Sequence, residues 1–130
     1  MAINEKILKG LKSATTHLEN SILASSKKDE GSFAGSLWHV AAELEYTLFL
    51  FSITFQNESD LSKWKPDLEH KTEAGSMLMN VQNLLNEAEK FVANEKLLDA
   101  YKSAHIARHY VLKVQEDLAK KKRQTLRKEQ

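Results

Sequence analysis

The sequence contains no cysteine, one proline and only four glycines among its 130 residues. Because there is no thiol, disulfide frameworks, thiolate zinc sites, iron–sulfur clusters and cysteine nucleophiles are excluded. The scarcity of proline and glycine disfavours a turn-rich β fold, in which every hairpin needs such residues. The composition therefore favours long helices.

Long hydrophobic runs are also missing. The most apolar run, from Leu44 to Phe55, contains Glu45 and is shorter than the roughly 20 residues that cross a bilayer. The first residues, MAINEKILKGLK, carry lysines among the apolar positions and do not resemble a secretory signal. These features predict a cytoplasmic protein without a membrane-spanning segment.

Four stretches of the chain carry apolar residues three or four positions apart, the period of an amphipathic helix. With 42% hydrophobic and 28% charged residues, the composition is that of a globular domain. The polar stretch Ser25 to Gly35 predicts the first connection, and Pro66 predicts the start of the third helix. The predicted helices cover about residues 3–24, 36–56, 66–93 and 95–122.

The similar lengths of these helices and the short turn at Asn94 and Glu95 predict an all-α domain over residues 1–119. Its predicted architecture is an antiparallel up-down-up-down four-helix bundle. Residues 120–130 form a basic C-terminal tail that continues the last helix, because Glu116 and Lys120 have the spacing of a helical ion pair.

The second predicted helix is apolar on two opposite sides. One side carries its core residues, and the other carries Trp38, Ala42, Tyr46, Phe49 and Ile53. A bundle helix normally presents a polar side to water, and aromatic residues are enriched in protein interfaces. We therefore predict a non-catalytic binding or assembly role, with a homodimer favoured over another protein partner. In the alternative, the 25–35 loop, the 57–65 loop or the basic tail covers this side.

Two histidines, His105 and His109, have the i, i+4 spacing that can place two imidazoles on one metal ion. The stretches LWHVAAELEYTLF and HIARHYV resemble the metal-bearing helices of DinB-type bundles, which carry one histidine on the second helix and an H-x-x-x-H pair on the last. This resemblance implies a metal site that includes His39, and His70 is another source of a third ligand. A metal-binding or ligand-binding bundle using His70, His105 and His109 is therefore the first alternative function.

The predicted helix positions disfavour that metal site. In the predicted bundle His70 and His105 lie at levels about 20 Å apart, from the 1.5 Å rise per residue, and His39 points away from the core. The Glu-x-x-His motif of diiron bundles is absent, as is a phosphate-binding loop. We therefore predict no metal and no cofactor.

The segment LLNEAEKFVANEKLLDAYKSAHIARHYVLK resembles the helical hairpins of HEPN-type and tetratricopeptide proteins. HEPN ribonucleases carry an arginine, a few residues, and then a histidine on one helix. Here His109 follows Arg108 directly, so the resemblance implies a hairpin and not the nuclease activity. The sequence identifies no catalytic residue.

Six of the 19 basic residues are concentrated near the C-terminus. They are Lys120, Lys121, Lys122, Arg123, Arg127 and Lys128. Such a cluster can contact nucleic-acid phosphates, and a nucleic-acid accessory protein is the second alternative function. However, no aromatic residue lies among these cations to stack on bases, and cations are favourable at any helix C-terminus. A solvated tail, or one that binds an acidic protein, is the favoured interpretation.

Overall fold

A computed structural model describes the backbone of residues 2–55 and 74–128 and the side chains of residues 3–55 and 76–124. Within these ranges the chain forms four α-helices, which confirms the all-α prediction. The helices are α1 (Ala2–Ser26), α2 (Glu30–Thr54), α3 (Ala74–Ala93) and α4 (Leu97–Lys128). Among the described residues, none of these helices is both long enough and apolar enough to span a membrane.

The first connection is a tight turn and not the loop predicted for residues 25–35. Lys28 adopts a positive φ of 58°, which ends α1, and α2 starts directly after Asp29. The Asp29 carboxylate accepts hydrogen bonds from the backbone N–H of Ser32 at 3.1 Å and from its hydroxyl at 2.7 Å. Asp29 therefore caps α2, which starts at Glu30 and not at the predicted residue 36.

The other helix ends are partly as predicted. The start predicted at Pro66 lies outside the described residues, whereas α3 ends at Ala93 as expected. Glu95, with a φ of 60°, forms the turn, and the Lys96 N–H donates to the Phe91 carbonyl. The last helix continues to Lys128, beyond the predicted residue 122. The basic segment is therefore helical through Lys128.

Among the described residues, each helix packs against two others: α1 against α2 and α3, and α4 against α2 and α3. At one end of the contact between α2 and α4, Phe51 lies against Tyr101, with ring centroids 5.8 Å apart. At the other end of this contact, Trp38 and Leu118 line the same groove. Residue numbers thus rise along α2 while they fall along α4, so the two helices run in opposite directions. An up-down-up-down order would make them parallel, so that order is not confirmed.

The four predicted apolar stripes all supply the core. Its fully buried large side chains come from every helix and are Ile7, Leu11, Leu18, Leu37, Val40, Leu44, Phe51, Val81, Leu85, Val111 and Val114. Small residues, Ala100, Ala104 and Ala107, line the inner side of α4 and are also buried. Their size permits a close approach of the neighbouring helices.

α1 and α2 approach each other closely at Gly10. A Cβ atom placed on this glycine would clash with the Thr47 hydroxyl. Thr47 is fully buried, and its hydroxyl donates to the Glu43 carbonyl at 2.7 Å. The lack of a side chain at Gly10 therefore permits the close contact between the two helices.

Candidate protein-interaction surface

The sequence-predicted interface residues all lie on the side of α2 that points away from the core, here called the outer face. They are Trp38, Ala42, Tyr46, Phe49 and Ile53. Their spacing of four, four, three and four residues keeps them in one stripe along the helix. The exposed fractions are 62% for Trp38, 50% for Tyr46, 58% for Phe49 and 45% for Ile53. Ala42 is exposed as well.

Of the two loops predicted as alternative covers of the outer face, the structure describes only residues 25–35. Residues 25–35 are helical apart from the turn at 27–29, so they form parts of α1 and α2 and not a loop folded over the outer face. Residues 57–65 lie outside the described part of the chain. The described residues thus leave a contiguous aromatic stripe in contact with solvent, which is the usual mark of an interaction site.

The apolar surface continues from α2 onto α4. Trp38 and Ala34 form one wall of a shallow groove, and Leu118, Ala119 and Lys122 form the other. The Trp38 ring also makes an edge contact with the neighbouring His39 ring, at 5.3 Å between centroids. Lys122 belongs to the basic tail, one of the predicted alternative covers. The contribution of Leu118 and Ala119 was not predicted, because the apolar periodicity of a helix does not identify its neighbours.

One ion pair lies beside the middle of the outer face. Arg108 of α4 donates from Nε to the Glu45 carboxylate of α2. Both side chains are partly exposed. The pair neutralises the acidic charge between Trp38 and Phe49, so the stripe carries little net charge. A sequence signal for this pair was absent, because the two residues are 63 positions apart.

The histidines do not form a common cluster in the described structure. His39 stacks on His17 of α1, with ring centroids 4.8 Å apart, whereas His105 lies on α4 beside Tyr101 at 5.8 Å. His109 contacts the Tyr110 ring, and His70 lies outside the described residues. Within residues 2–55 and 74–128, no three His, Asp or Glu side chains are placed to hold a metal ion.

The partly buried position of His105 affects its titration. Burial lowers the pKa of His105 below its usual value, and the neighbouring Arg108 and His109 lower this pKa further, while Glu45 acts in the opposite sense. The neutral imidazole is therefore favoured beside the ion pair. This arrangement explains a local electrostatic effect and does not by itself provide a catalytic base.

The basic segment extends α4 beyond the core. Lys120, Lys121, Lys122 and Arg123 are exposed, and Lys120 pairs with Glu116 at 3.1 Å. Hydrogen bonding from Lys120 lowers the pKa of Glu116, and the charges of nearby lysines contribute. Arg127 and Lys128 belong to α4, but their side chains lie outside the description. Lys122 borders the Trp38 groove, so the basic segment and the outer face are contiguous.

Comparison with protein-family models, with curated proteins and with solved structures finds no match to this chain. An interpretation of the function must therefore rest on the residues themselves. Among the described residues, the outer face is a feature that neither the core nor the helix connections explain.

Proposed function

We propose that the protein has a non-catalytic binding or assembly role and that its outer face forms a homodimer. The observation that supports this proposal is the exposure of three aromatic side chains, Trp38, Tyr46 and Phe49, on a single helix. Hydrophobic burial is the main favourable term in protein association, and large aromatic residues dominate interface energies. A stripe of this kind gains free energy when a second surface covers it.

The scaffold that we propose for this face is an antiparallel four-helix bundle. In it α1 and α2 form one hairpin, and α3 and α4 form the other. The contacts of α2 with both α1 and α4 support this arrangement. They also hold α2 against two neighbouring helices, so the outer face is presented on a packed element. Little conformational entropy is then lost on association, which favours affinity.

The apolar stripe supplies about half of the area that a stable dimer buries on each partner. Aromatic side chains present about 200 Å² each, so three of them at half exposure, with Ile53 and Ala42, supply roughly 400 Å² of apolar side chain. A stable interface buries about 800 Å² on each partner. The groove shared by α2 and α4 and the polar rim at Glu45 and Arg108 extend the surface toward that area.

Light scattering coupled to size exclusion tests the proposal. We expect the wild-type chain to have twice the monomer mass at tens of micromolar, and Phe49→Glu to have the monomer mass, because a buried charge without a partner is strongly unfavourable. Met79→Glu is the matched control, since Met79 is exposed to a similar extent, 64%, but lies on α3. It should leave the dimer intact. A wild-type chain that stays monomeric at high concentration would refute the proposal.

A further inference from the structure

Four of the five outer-face residues are placed symmetrically about one point of α2. Trp38 and Ile53 are equally distant in sequence from a midpoint between Glu45 and Tyr46, and so are Ala42 and Phe49. When two copies of a helix pack antiparallel around a two-fold axis, residues equidistant from the axis face each other. We propose, building on the homodimer above, that two α2 helices pack antiparallel with the two-fold axis between Glu45 and Tyr46.

This register matches large side chains with smaller ones. Trp38 faces the Ile53 of the second copy, and Phe49 faces the second Ala42. A parallel pairing would instead set Trp38 on Trp38 and Phe49 on Phe49, and would leave Ala42 opposite Ala42. Such an interface packs large against large and small against small, which leaves voids between the helices. Antiparallel packing also places the helix dipoles in a favourable orientation.

The charges close to the axis are balanced in the same register. An antiparallel two-fold pair brings the same flank of each helix together, so the two Glu45 carboxylates approach each other. Two carboxylates alone would repel each other. Each is already paired with Arg108 of its own chain, so two negative and two positive groups meet at the axis.

This charge balance predicts a pairwise effect. Arg108→Gln should weaken the dimer by at least about tenfold in its dissociation constant, because unpaired carboxylates are then left at the interface. Glu45→Gln combined with Arg108→Gln should restore most of the affinity. Equal weakening by the single and double variants would show that the pair is not near the axis.

The absence of cysteine makes a direct test of the register possible. Ala42→Cys and Phe49→Cys are made as separate chains, mixed under reducing conditions, and oxidised at a concentration where light scattering shows that the mixture is dimeric. A disulfide needs Cα atoms about 4.4–6.8 Å apart. The proposed register therefore predicts a disulfide between an Ala42→Cys chain and a Phe49→Cys chain, which mass spectrometry identifies. Each variant alone should remain uncrosslinked.

A mixture of Trp38→Cys and Ile53→Cys chains repeats the test at the second equidistant pair and retains Phe49. The proposed register predicts a disulfide between these two chains as well. Disulfides within the Ala42→Cys variant alone would show parallel packing and overturn the register. A dimer in which neither mixed pair crosslinks would also overturn the register but leave the homodimer standing. A chain that is monomeric by light scattering would overturn both.

Discussion

The two faces of α2 have similar composition but opposite surroundings. On the inner face Leu37, Leu44 and Phe51 are fully buried by the other helices. On the outer face Trp38 and Phe49 are more than half exposed. A helix that is apolar all round is normally buried all round. Packing among the described residues therefore accounts for the inner face and leaves the outer face exposed.

The sharpest way to test the contrast is to shorten one side chain on each face. Leu44→Ala should lower the free energy of unfolding by about 2–5 kcal/mol, because it leaves a cavity in a packed core. Phe49→Ala should change it by less than about 0.5 kcal/mol when the protein is dilute enough to be monomeric. Urea denaturation of both variants measures the difference. Equal losses would mean that another part of the chain buries Phe49.

A glycine pair tests the same contrast by adding a methyl group. Gly10→Ala, at the contact of α1 with α2, should cost about 1–3 kcal/mol through overpacking. The double variant Gly10→Ala with Thr47→Ala should recover part of this loss, because the opposing side chain is then shorter. Gly35→Ala, for which no atom lies within 4 Å of the new methyl group, should instead stabilise α2 by up to about 1 kcal/mol. Thermal melts that rank these glycine variants the other way would contradict the packing described here.

The contribution of the Asp29 cap at the start of α2 can be tested by varying the pH. Hydrogen bonds from Ser32 lower the pKa of Asp29 below its usual value of 3.8. The cap therefore stabilises the folded state fully above pH 3.8, and this contribution is lost as the pH falls through 3.8 and then through the lower folded pKa. Asp29→Asn keeps a capping side chain but cannot titrate, so its melting temperature should fall less between pH 5 and pH 2 than that of the wild type. Asp29→Ala should melt lower at every pH above 4.

The smallest effect is expected at the basic end of α4. A chain that ends after Ala119 should differ from the full chain by less than about 0.5 kcal/mol, because exposed terminal charges contribute little to stability. Circular dichroism melts in low salt check this expectation. If the truncation also removes binding of duplex or single-stranded nucleic acid by the full chain, the basic segment would have a function separate from the outer face.

Part of this structure could be predicted from the sequence, because apolar periodicity depends on the geometry of one helix alone. The four helices, the core stripes and the exposed stripe that contains Trp38 and Phe49 follow from that geometry. The start of α2 was missed because serines and glycines between 31 and 36 suggested a loop, while the local cap at Asp29 decided the helix start. The pairing of Glu45 with Arg108 depends on which helices are neighbours, and no local pattern in the sequence specifies that.

Tryptophan fluorescence tests directly whether Trp38 becomes buried when two chains associate. The sequence contains two tryptophans, so Trp64→Phe leaves Trp38 as the only indole fluorophore. As the concentration of this variant rises, we expect the emission maximum to shift to shorter wavelength. Quenching by acrylamide should fall over the same concentration range in which light scattering shows the dimer forming. An emission spectrum and a quenching constant that stay unchanged while the dimer forms would show that the outer face is not the interface.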